Sequence, residues 1–110
     1  RILVSHIPVG HIPGDEDRDP KFFPEYKKRW GAIMNRAGLD LKISAHYHKF
    51  YLEEPSGQRS FPVVIGGGPD RDSAVIVNVY ATGQALGLDV TNLQGEKIGE
   101  RKWERKERNA

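Results

Sequence analysis

The chain has 110 residues, 37% of them apolar, and a formal charge of +2, which suits one modest core and a single domain. No apolar run reaches the roughly 20 residues that cross a bilayer, and without cysteine there is no disulfide framework or thiolate metal site, so histidine and carboxylate remain as ligands. The charge excess sits in residues 95–110, where six Lys or Arg meet four Glu; such a mixed-sign run reads as a solvated edge or frayed end, with a charged tail over about 101–110, not as a nucleic-acid footprint.

In chain order, "ILVSHI" (residues 2–7) is a short β-rich run closed by Pro8, as expected of a buried strand that opens into a loop. The following stretch, "PVGHIPGDEDRDPKFFP", holds four prolines, two glycines and the acids Asp15, Glu16, Asp17 and Asp19. It forms no continuous helix or strand; a loop of this length is a binding loop, a lid or a disordered segment, and its acids read as solvated. Pro24 suits a first helical turn, and Tyr26, Trp30, Ile33, Met34 and Ala37 fall on one helical face, with Gly38 as the C-terminal stop.

From Leu39 the pattern returns to a strand, "LDLKISAH", with Leu41, Ile43 and Ala45 on one side. Strand, helix and strand in this order predict a parallel, right-handed crossover that brings both histidine-bearing strand ends to the same sheet edge. His6 would then meet His46 and His48 in the crevice beyond the strands, where open α/β sheets place ligands. The rest changes character. "FPVVIGGGPDRD" is a strand and a glycine-rich turn, and residues 73–100 are β-rich runs broken at Thr82-Gly83 and at Asn92 to Gly95, which are antiparallel hairpin signals. The fold class predicted is therefore α/β (α+β): one main helix, a mixed sheet and antiparallel C-terminal hairpins.

Imidazole is a common ligand of Zn, Mn and Fe, and a His-x-His pair at a strand end grips one ion or divides between two. Each histidine alone is unremarkable; their joint placement gives His6, His46 and His48 as candidate metal ligands. His11 lies in the proline-rich loop and Tyr47 between the paired histidines, which makes both candidates for substrate contact. Gly66, Gly67 and Gly68 read as a tight turn rather than a phosphate cradle, since no helix follows. Lys49, Phe50 and Tyr51 read either as the mouth of a site or as an ordinary loop.

"ILVSHIP" resembles the strand and His-x-Pro of calcineurin-like metallophosphoesterases. "DLKISAHYHKF" resembles their later strand ending in Gly-His-x-His and an aromatic residue, and "FPVVIGGGP" the strand and turn that follow. The resemblance covers most of the chain, with Ala45 where the family prefers glycine and Tyr47 in place of a smaller residue. It implies the C-terminal half of an αββα sandwich, with His6 and His46 on one metal and His48 on its neighbour. It also implies two Mn, Fe or Zn ions that activate a bridging hydroxide toward a phosphomonoester or phosphodiester.

The family's Asp-x-His, Gly-Asp-x-x-Asp and Gly-Asn-His-Asp/Glu motifs precede the His-x-Pro strand, with which this chain begins; "PGDEDRD" is no substitute, because Arg18 stands at the last position. Residues 1–110 are thus expected to be an incomplete catalytic domain, inactive alone and prone to self-association. The expected partner is a phosphate ester, with no nucleic acid and no membrane, and the compartment is unknown. The alternative is a non-catalytic β-rich binding module in which the histidines are incidental.

Overall fold

Leu41–Ser44 forms the centre of the molecule, with Leu41 and Ser44 buried and Lys42 fully enclosed. The computed structural model describes residues 1–6, 27–55 and 59–105. Its strands are β1 (Ile2–Val4), β2 (Leu41–Ser44), β3 (Tyr51–Glu53), β4 (Val63–Ile65), β5 (Val75–Ala81), β6 (Ala85–Asn92) and β7 (Lys97–Glu104). They make a four-stranded sheet in the order β1-β2-β4-β3 and a three-stranded sheet in the order β5-β6-β7. β1 runs parallel to β2, with Leu3 beside Lys42, and β2 runs parallel to β4. β3 turns back antiparallel along β4. The mixed α+β class is as the sequence indicates.

Between β1 and β2 the described chain makes a π-helical turn, Lys27–Gly31, that passes into α1, Ala32–Arg36. Met34 alone is buried, while Trp30, Ile33 and Ala37 are exposed, so the single continuous face is corrected to one anchor. Gly38, at φ 67°, stops the helix in the left-handed region that glycine occupies without strain. Asn35 ties the helix to the approach to β4: its Oδ1 accepts from the Ser60 backbone N–H at 3.0 Å. Tyr26 and Pro24 lie outside the described residues.

Two apolar clusters lie on opposite faces of the four-stranded sheet. Met34, Leu39, Tyr47, Phe61, Val63 and Ile65 form the helix-side core. On the other face Leu41 and Val64 meet Leu88 and Val90 of β6, which stacks the two sheets. Both hairpins follow the sequence signals. Thr82 Oγ1 accepts from the Ala85 N–H at 3.0 Å in the first, and Asn92 Oδ1 from the Glu96 N–H at 2.9 Å in the second. The charged segment is a solvated edge as far as Glu104, which corrects a tail starting at 101; β7 pairs there with Ala85. Among the described residues no helix is long and apolar enough to cross a membrane.

Candidate functional site

Parallel pairing carries β1 and β2 to the same sheet edge and continues past both strands. The Ser5 N–H donates to the Ile43 carbonyl at 3.0 Å, and the Ala45 N–H to the His6 carbonyl at 2.9 Å. His6 and Ala45 are thereby fixed side by side. The chain then folds back at once: the Tyr47 N–H donates to the Ala45 carbonyl at 3.0 Å, around His46 at φ 80°. This is a three-residue γ-turn with positive φ at its centre, the rarer and strained form. It swings the His46 ring toward β1, where its Nδ1 stands 3.1 Å from His6 Nε2. The rings are edge to face, with centroids 5.0 Å apart.

One ring donates and the other accepts in that contact. The separation also suits a shared cation, because two imidazole nitrogens about 2.0–2.1 Å from one tetrahedral ion lie roughly 3.3 Å apart. His6 is exposed and His46 half-buried, so their meeting point is open to solvent.

His48 takes a different place. It is exposed at φ 60°, and its backbone packs under the glycine turn that follows β4. A Cβ built on Gly68 would stand 2.9 Å from the His48 carbonyl oxygen, and one built on Gly67 would fall 1.7 Å from that of Ser73. Gly68 therefore permits close packing against the histidine loop, and Gly67 against Ser73 within the turn itself, the tight-turn role expected of them. Among the described residues no group of three or more His, Asp or Glu side chains is arranged to hold a metal. The sequence-derived trio resolves into a touching pair, His6 and His46, with His48 on the adjoining turn.

Tyr47, a candidate for substrate contact, is corrected to a core residue: it is 1% exposed and packs among Met34, Phe61 and Ile65. The tight turn at His46 throws the following side chain inward. His11 and the acids Asp15, Glu16, Asp17 and Asp19 lie outside the described residues. Tyr51 belongs to β3 and packs at the rim of the helix-side core, rather than to a loop.

The sequence reading passed over Lys42. Its Nζ donates to Ser44 Oγ and, at 3.3 Å, to the Ile43 carbonyl. Burial lowers its pKa from 10.5 to about 8. Alternation marks Lys42 and Ser44 as an outward face; the signal that corrects it is the parallel crossover, which covers both faces of a central strand.

A crystal structure of a conserved uncharacterised protein from Streptococcus pneumoniae TIGR4, described as a predicted phosphoesterase, matches with a TM-score of 0.51 and 9% identity. The fold is distantly similar to that of this neighbour. At that identity the likeness is one of fold, and it covers 74% of this chain and 51% of the streptococcal one, so this chain spans about half its neighbour's length. No family model and no curated protein matches the sequence.

Proposed function

We propose that this chain carries part of a metal-dependent phosphoesterase site, with His6 and His46 holding one ion and His48 a neighbouring one. The observation that carries this reading is the 3.1 Å approach of His6 Nε2 to His46 Nδ1 at two parallel strand ends. A distantly phosphoesterase-like fold supports it. Bound in a complete site, two divalent ions lower the pKa of a water and neutralise charge on a phosphoryl group. The chain's own contribution is to orient ligands. The γ-turn at His46 fixes one ring, the β1–β2 ladder fixes the strand that bears the other, and Gly68 packs against the loop of the third. To accept an ion, whichever ring donates in the His6–His46 contact carries its hydrogen on its other nitrogen, leaving both facing lone pairs free. Phosphomonoesters and phosphodiesters are the substrate class, with Mn, Fe or Zn as the metals.

Calorimetric titration of the chain with Zn²⁺ and with Mn²⁺ tests the ligand set. Wild type is expected to bind weakly, His6→Ala and His46→Ala to lose at least tenfold in affinity, and His11→Ala to match wild type. Equal binding by wild type and both alanine variants would sink the proposal. Hydrolysis of an aryl phosphate by the chain alone is expected to be undetectable, since the described residues contribute no carboxylate to the histidine pair.

A further inference from the structure

Among the described residues the two stacked sheets present four strand edges, and three are short or charged. β1 and β3 are three residues each, and the end of β3 is capped by the Glu53–Arg59 ion pair at 3.0 Å. β7 carries Lys97, Glu100, Arg101, Lys102 and Glu104 in eight residues, the usual means of discouraging a further strand. β5 has neither protection. Its seven residues, Val75–Ala81, contain no charge, and none occurs anywhere in residues 73–88. Among the described residues β5 pairs with β6 alone, leaving one row of its backbone N–H and C=O groups without a neighbouring strand.

The sequence of β5, Val-Ile-Val-Asn-Val-Tyr-Ala, is close to symmetric about Asn78. In an antiparallel pair with a second copy of itself, Val77 falls opposite Val79 of the second copy, Ile76 opposite its Tyr80, and Asn78 opposite its Asn78. Val77 and Val79 already point into the inter-sheet core, while Ile76, Asn78 and Tyr80 are exposed on the outer face. Every facing pair is then apolar with apolar or amide with amide, and cross-strand pairs of these kinds stabilise a sheet. The exposed Ile76 and Tyr80 would be partly covered. We infer that β5 is a dimerisation edge, on which a second copy of this chain adds antiparallel about a two-fold axis at Asn78 to give a continuous six-stranded sheet.

Asn78 supplies the test, because it is exposed and lies opposite Asp89 on β6, so a lysine there gains an intrachain neighbour of opposite charge. Light scattering during size exclusion, over a range of concentrations, is expected to give twice the monomer mass for wild type. Asn78→Lys is expected to weaken the dimer at least tenfold by placing two lysines across the axis, with an unchanged circular dichroism spectrum. Mixing Asn78→Lys with Asn78→Asp restores a dimer if the axis runs through this residue. Should Asn78→Lys fold poorly, Ile76→Lys serves on the same exposed face. A monomeric wild type, a dimer that survives the lysine, or a charge-swapped mixture that stays monomeric would each overturn the inference. None of these outcomes bears on the histidine site, at the edge of the other sheet.

Discussion

His46 and His48 hold positive φ, at 80° and 60°, where a side chain other than glycine is strained by about 1–2 kcal/mol. Two such residues flank the buried Tyr47, so the turn holds local strain that the packing around Tyr47 keeps in place. Lys42, further back on β2, is a separate burden. Its ammonium is fully enclosed and its pKa falls from 10.5 to about 8. Between those values the unfolded chain binds more protons than the folded one, so the Lys42 contribution to stability rises with pH from about 8 to 10.5; below 8 both states are protonated and the penalty is constant. Lys42→Met is expected to abolish that rise, which amounts to at most about 3 kcal/mol. Urea denaturation of both proteins at pH 7, 8.5 and 10 measures it. Parallel stability curves for the two would refute the assignment.

At the level of elements, the turn after β4 closes on Ser73 through Gly67 and meets the histidine loop through Gly68. An alanine at position 67 would place its Cβ 1.7 Å from the Ser73 carbonyl oxygen, which is backbone and cannot swing aside. Gly67→Ala is expected to lose about 1–3 kcal/mol or more in urea denaturation, the range for overpacking. Gly83→Ala, at a hairpin tip with nothing within 4 Å, is the contrast and is expected to change little. Equal stabilities would mean that the turn yields without penalty. The same elements show what could be read in advance. β1, β2, β4 and both hairpins were legible because β-branched runs bounded by Gly, Pro and Asn carry the strand signal locally. β3 was not, since three residues show no period and its existence depends on β4 being beside it. The burial of the helix face is not legible, because spacing says which residues share a face and not whether another element covers them: Met34 is buried, while Ile33 and Ala37 beside it are exposed. The fate of Tyr47 depended on a γ-turn that no short motif announces.

For the whole molecule, the order strand, helix, strand carried the inference that mattered most. It placed His6 and His46 at one sheet edge although they are 40 residues apart. If that contact is an ion site, metal binding and folding are linked, because the unfolded chain does not hold the two nitrogens together. An ion that binds only the folded state stabilises it by RT ln(1 + [L]/Kd), about 1.4 kcal/mol at ten times Kd. In a domain of this size that corresponds to a rise in Tm of roughly 5–10 °C. Zn²⁺ is therefore expected to raise the wild-type melting temperature in proportion to the logarithm of its concentration, and a chelator to return it to the metal-free value. His6→Ala removes a ring from an exposed position and leaves the core intact, so its metal-free Tm is expected to match wild type while the Zn²⁺ shift disappears. The His46 variant tells less on its own, because it also alters a strained turn and moves the metal-free Tm. Melting scans of wild type and His6→Ala at several Zn²⁺ concentrations separate the possibilities: a shift retained in His6→Ala would mean that the ion binds elsewhere on the chain, and no shift in wild type would mean that the two rings meet only through their hydrogen bond.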